Sequence, residues 1–370
     1  MKPFIFALLP VFCAAGSLHA QSVVTEPIGF NKVTCLSNSD TVVGVPLRKE
    51  GSQSTALSGN PIGTGDSITL PVTATLTAGQ FSNHYAKFVG GAKDGSWYDI
   101  TAHTTDSITV DLNGDSLTGV TSGDAILIAE YWTLNTLFPP AEATETWTET
   151  PAASGNWVPD GHAVVASTNT LPTGRHTEIR MPNLTEPGTN IPPEGRYFVH
   201  GTIWKRSGSG STDYGSTIIF PNTLFTISHT SLVSHQTTYR TIGEVELGTT
   251  SIPLTTQDDV AQDNFIGIPR PLPLTLDELN LRQSPGAFMA STNTLPTGRR
   301  DQLLIYDNEL QRRNKAPSAI YYVHNGIWKL SGGGNTDRSN EIIPASAGFI
   351  IRKFQVPGHP TAFWNNTSTY

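Results

Sequence analysis

The chain reads as an all-β protein, a duplicated β-sandwich or barrel-like unit with an inserted β-domain. Three observations predict this. The ten residues Ala166–Arg175 recur unchanged at Ala290–Arg299, an offset of 124 residues, so one supersecondary unit is used twice. Only 15% of the residues are charged while Gly, Pro, Ser and Thr are plentiful, a balance that suits strands joined by tight turns. Apolar residues alternate with period two along much of the chain, and helical periodicity is weak.

At the N-terminus, Lys2 precedes an apolar run from Phe4 to Ala15 that is too short to span a bilayer. Leu18-His19-Ala20 follows, so residues 1–20 are expected to be a secretory signal peptide cut near Ala20. The mature protein would be periplasmic or extracellular. No later stretch predicts a transmembrane segment. Cleavage removes Cys13 and leaves Cys35 alone, so stability must come from burial. Alternation puts Cys35 on the face of Val33, as a small core residue.

The duplication reaches back to Asp40-Thr-Val-Val-Gly-Val-Pro46, which resembles Asp263-Asn-Phe-Ile-Gly-Ile-Pro269. The second copy runs from that motif to its repeated box directly, whereas the first is interrupted. The expected division is 21–49 for the first part of β-unit 1 and 50–140 for the inserted domain. Residues 141–246 complete β-unit 1, and 247–370 form β-unit 2. Val42–Leu47, Asp66–Leu76 and Asp106–Leu112 read as strands, and Asp124–Trp132 as a longer, central one. Thr133–Phe138, stopped by Pro139-Pro140, and Thr275–Leu281, with a capping threonine, predict one or two helical turns each.

Each repeat contains a hairpin. Asn325-Gly326 supplies the positive φ angles of a type I′ turn, and Gly201-Thr202 suits type II′. Two-residue loops fix the register, so Val323 should face Trp328 and Tyr321 Leu330; Val199 should face Trp204 and Tyr197 Arg206. Trp204 and Trp328 are therefore expected in the core, with His200 and His324 on the opposite face. A Gly/Ser-rich loop follows each hairpin.

The net charge of −8 without a Lys/Arg cluster excludes a phosphate-binding face and hence nucleic acid. No histidine pair has metal-ligand spacing, no nucleophile elbow is present, and the Gly/Ser loops lack a phosphate-binding lysine. No cofactor and no metal are expected. The weakest metal candidate is Asp111, Asn113 and Asp115, which begins like a calcium loop but has Ser116 and Ser122 where Gly and Glu belong. Asn113-Gly114 is equally a hairpin turn. Asp258-Asp259 and Asp277-Glu278 are the acids available for glycoside hydrolysis.

The repeated box holds the main binding candidates, Asn169 and Arg175 with Asn293 and Arg299. Packing accounts for Leu171 and Leu295, and turn geometry for Pro-Thr-Gly. The polar residues either satisfy an irregular turn or contact a ligand twice. In the structural reading Arg175 meets Asp213 and Arg299 meets Asp337. Trp97 and Trp132 are candidates for a glycan platform, with Tyr98, Trp147, Trp157 and Trp364 as further aromatics outside the hairpins.

Four stretches, Glu26-Pro-Ile-Gly-Phe30, Tyr131–Pro139, Asn314–Tyr322 and Gly348-Phe-Ile-Ile-Arg352, resemble an uncharacterised family of secreted bacterial proteins known mainly from Verrucomicrobia. The resemblance spans most of the mature chain and implies export and a β-rich fold. It carries no functional residues. The expected function is a secreted non-catalytic structural or interaction protein of the cell envelope or extracellular space, with itself or other envelope proteins as partners. A carbohydrate-binding or adhesion module with a glycan partner is one alternative, and a glycan-active hydrolase the other.

Overall fold

The two hairpins are the local structures most tightly set by sequence, and both form in the expected register. In a computed structural model describing residues 26–77, 79–144, 162–358 and 360–368, Val323 pairs with Trp328 and Tyr321 with Leu330, as Val199 does with Trp204 and Tyr197 with Arg206. Asn325 and Gly326 take φ of 54° and 75°, and Gly201 takes 64°. The expected signal peptide and its cut near Ala20, with Trp147 and Trp157, lie outside the described residues.

Each hairpin forms one side of a five-stranded antiparallel sheet. In the first copy the order is Ile203–Arg206, Gly195–His200, Thr177–Met181, Phe225–His229, Asp40–Val43; in the second it is Ile327–Leu330, Ala319–His324, Gln302–Ile305, Gly348–Lys353, Gln262–Gly267. Two ribbons complete each copy. Ile28–Cys35 pairs with Thr237–Glu244 and Trp132–Thr133 with Ile218–Ile219; their counterparts are Thr249–Leu254 with Ala362–Thr367 and Leu274–Thr275 with Ile342–Ile343. Between Asp40–Val43 and Trp132–Thr133 the chain builds a separate seven-stranded antiparallel sheet from Gln53 to Glu130, in which Ala125–Glu130 is an interior strand. Residues from Trp132 onward return to the first copy. Leu134–Leu137 is one helical turn closed by a Thr133/Thr136 capping box, and Leu134, Leu137 and Phe138 enter that copy's core. Thr275 and Glu278 make the same reciprocal cap at the start of a single turn.

Three cores result. Trp204, Phe225, Ile227 and Tyr239 fill the first copy, Trp328, Phe349, Leu303 and Trp364 the second, and Phe88, Ile108, Val110 and Ile126 the insert. Cys35 is fully buried in the first of these.

The copies meet edge to edge. Edge strands expose unpaired N–H and C=O groups, and here each copy supplies partners to the other. Asp40 N–H donates to Arg312 O and Gly44 N–H to Ser346 O, both at 3.0 Å; Asp263 N–H donates to Gly188 O and Gly267 N–H to Asn222 O, both at 2.9 Å. Gly188 and Arg312, like Asn222 and Ser346, are repeat equivalents at the 124-residue offset, so the two sets of bonds are related by a pseudo-two-fold axis. Gly44 and Gly267 meet beside it. A Cβ on Gly44 would lie 2.4 Å from Gly267 Cα, an approach that requires glycine. Val42, Leu224, Leu304 and Ile350 pack together at this contact.

Candidate functional site

The repeated box is a closed turn built identically in both copies. Asn169 Oδ1 accepts the Leu171 N–H, and Asn293 Oδ1 the Leu295 N–H, each at 2.9 Å; these are Asx turns. Pro172–Gly174 and Pro296–Gly298 then make single 3-10 turns. A Cβ on Gly174 would sit 2.1–2.4 Å from the Asn169 carboxamide, and Gly298 is crowded by Asn293 in the same way. The Asn-to-Gly spacing is thus a packing constraint between the two ends of the turn.

The arginines close the turn from behind, but not through the expected aspartates. Arg175 donates to Thr170 O (3.0 Å), Ser207 Oγ (2.9 Å) and Glu178 Oε1 (3.1 Å), with its guanidinium 4.5 Å from the Phe198 ring centre. Arg299 donates to Thr294 O and to Ser331 Oγ (2.7 Å) and lies 4.7 Å from the Tyr322 ring centre. Asp213 and Asp337 instead accept from Gly215 N and Ser339 N, at 2.9 Å each. An aspartate two residues before an N–H is well placed for a local Asx turn, while the first serine of each Gly/Ser loop lies nearer the guanidinium.

The leucines are also not core residues. Leu171 is 63% and Leu295 64% exposed, because the turn closes on its own hydrogen bonds and leaves its tip in solvent. Each repeat therefore presents a preformed Thr-Leu-Pro-Thr tip.

Trp97 and Trp132, distant in sequence, line one recess where the insert meets both copies. Both are half-buried. Trp97 stacks on Phe220, 6.2 Å between ring centres and 19° between planes, and Trp132 Nε1 donates to Leu47 O at 2.9 Å. Tyr85 and Tyr131 pack beside them, and burial raises both phenols above their ordinary value. The other aromatics do not extend this surface. Trp364 is fully buried, and Tyr98 is buried with its hydroxyl on Asp115.

Behind the indoles lies a charge cluster that sequence reading missed. Arg48 Nη1 donates to Glu246 Oε2 (2.9 Å) and its Nη2 to Glu244 Oε2 (3.3 Å), while Lys87 Nζ donates to Glu246 Oε2 (2.6 Å). From the second copy, Arg270 donates to Glu246 O (3.1 Å). Burial alone would raise the Glu246 carboxyl, but Lys87 and Arg48 outweigh it and hold the group below the usual carboxylate range. Burial lowers the Lys87 ammonium against the pull of Glu246. With Glu26 also 3.6 Å from Arg48, three cations and three carboxylates balance one another, and through Arg270 the cluster joins the three units. The cavity left is about 50 Å³, room for a few ordered waters rather than a sugar ring.

Asp111 Oδ1 accepts the Asn113 N–H (2.9 Å), and Asn113 and Gly114 take φ of 48° and 82°, the type I′ alternative. Asp115 is held by Lys93 (2.7 and 2.8 Å) and by Tyr98 OH (2.7 Å), so its oxygens face an ammonium. Asp277 binds Arg282 and Glu278 caps Thr275. Among the described residues no group of three His, Cys, Asp or Glu is arranged to hold a metal ion.

The copies also differ at one matched buried position. His229 lies between Thr177 Oγ1 (2.9 Å) and Thr237 Oγ1 (2.7 Å), and burial lowers its imidazole to about 3. The equivalent Lys353 pairs with Asp301 and donates to Ala287 O (2.8 Å).

Fold and site together define a pseudo-two-fold, duplicated all-β protein with a β-domain inserted in its first half. Compared with protein-family models, with curated proteins and with solved structures, the chain finds no match.

Proposed function

We propose that the chain is an exported, non-catalytic interaction protein of the cell envelope or extracellular space, a scaffold that presents one turn twice. The observation that carries this reading is the exposure of Leu171 and Leu295 on turns whose Asn and Arg side chains are engaged internally. A preformed apolar tip binds with little ordering cost, and two tips on one body bind a repetitive surface with avidity. The mutual neutralisation of Arg48, Lys87, Glu244 and Glu246 supports a cohesive rather than a catalytic role for the central recess. Export rests on the N-terminal pattern and on the resemblance to secreted proteins.

The test is co-sedimentation of the full-length protein with purified cell-envelope material. L171D/L295D should lose retention while melting like the parent, since neither leucine is buried. Unchanged retention counts against the proposal. The glycan reading draws on the convergence of Trp97 and Trp132, but it is the weaker one, because the recess between them is too small for a sugar ring. A glycan-array signal lost in Trp97→Ala would move the function there.

A further inference from the structure

The contact between the two copies has the form of a homodimer interface. When residue i of one partner meets j of the other and j also meets i, the contact is isologous. Val43 bridges Ala347 as Ile266 bridges Thr223, both pairs being equivalent under the repeat. Asp40 accepts the Asn314 N–H (2.7 Å) and Asp263 the Asn190 N–H (2.8 Å), and each carboxylate also holds an arginine of its own copy, Arg180 or Arg352. The face is thus complementary to another copy of its own unit, whichever chain supplies it.

The covalent link across this face is short. Only residues 245–248 separate Thr237–Glu244 from Thr249–Leu254. A short connector between complementary halves is the usual hinge of a swapped dimer. Glu246 sits in this connector with its carboxylate held by Lys87 and Arg48 and its carbonyl by Arg270. Lys87 belongs to the inserted sheet and Arg48 to the segment leading into it. The insert therefore grips the hinge.

We propose that the inter-copy face is a self-recognition surface whose alternative partner is a second molecule of this chain. Copy 1 of one molecule pairs with copy 2 of another in a repeat-exchanged dimer, and the inserted domain keeps the protein in its one-chain form by clasping Glu246. Exchange preserves every hydrogen bond of the face, so the two forms differ at the hinge and in their dependence on protein concentration.

The experiment uses the full chain carrying V43C/A347C in a C13A/C35A background. The bridged pair is close enough for a disulfide. Tagged and untagged chains are unfolded, mixed, refolded at low or high concentration and oxidised. Dilute refolding should give monomers with an intrachain bond. Concentrated refolding should give mixed tagged–untagged dimers joined between positions 43 and 347, identified by peptide mass. Adding Glu246→Gln should raise the monomer–dimer equilibrium constant at least about tenfold, as expected for weakening the two charge-assisted hydrogen bonds from Lys87 and Arg48. Lys87→Met tests the same clasp should the glutamine variant fail to fold. Monomers alone at high concentration, or dimers without the 43–347 link, overturn the proposal. A dimer fraction that neither clasp variant changes overturns the role of the insert.

Discussion

Asn308 offers the sharpest test of the paired edges. Its Oδ1 accepts the Val42 N–H (2.8 Å) and its Nδ2 donates to Val42 O (2.9 Å), so one side chain closes the backbone edge as a neighbouring strand would. Val42 is buried. Asn308→Ala removes two hydrogen bonds worth about 1 kcal/mol each and leaves a buried N–H and C=O unpaired, for a total of about 2–3 kcal/mol. The repeat equivalent of Asn308 is Leu184, 46% exposed. Its counterpart edge residue is Phe265, whose N–H and C=O point outward by the alternation that aims those of Asp263 and Gly267 at the other copy. Leu184→Asn should form the missing pair and stabilise by about 1 kcal/mol. Urea titration followed by tryptophan fluorescence reads both, using the first transition because several cores need not unfold together. With a slope of about 2 kcal/mol/M, Asn308→Ala should lower that midpoint by roughly 1 M. An unchanged midpoint for Asn308→Ala, or a loss for Leu184→Asn as large as for Asn308→Ala, would refute the two-fold reasoning.

Three further outcomes are expected. Gly174→Ala drives a Cβ into the Asn169 carboxamide and should cost about 1–3 kcal/mol; N169A/G174A should cost less than the sum of its singles, and strict additivity in thermal melts would contradict the contact. His229, neutral in the fold at about 3 against an ordinary 6.5, contributes stability that is complete above pH 6.5 and lost as pH falls. The loss is about 1.4 kcal/mol per pH unit, so His229→Gln should flatten the urea midpoint between pH 6.5 and 5, and parallel curves would show that another group is responsible. Burial raises the Cys35 thiol to about 11, so alkylation at pH 8 should proceed only through unfolding. Native labelling at the rate of a free thiol would contradict its placement.

The hairpins were legible because Asn325-Gly326 and Gly201-Thr202 dictate backbone angles locally, and register follows from the angles. The box was legible as a turn but not in its facing. Repetition of Leu171 looked like packing, when what is repeated is the fit of the Asn169 carboxamide against Gly174. Charge alone pairs Arg175 with Asp213, yet a serine hydroxyl and a carbonyl within reach satisfy a guanidinium equally well. The Glu246 cluster left no trace in sequence. Its members lie up to about 200 residues apart, and each alone resembles an ordinary surface charge; only the return of the chain after the insert brings them together. Trp364 was indistinguishable from a surface indole until its strand paired with Thr249–Leu254 and directed it into the second core.

The reciprocal closure of Asp40–Val43 and Gln262–Gly267 bears on how such a chain stays dispersed. An uncovered strand edge templates growth into fibres, and each copy here removes the other's template. The Gly44–Gly267 approach makes that cover intolerant of any side chain at its centre. Loss of either copy would leave its sibling with an open edge and an invitation to aggregate, so the duplicated halves are bound to persist together.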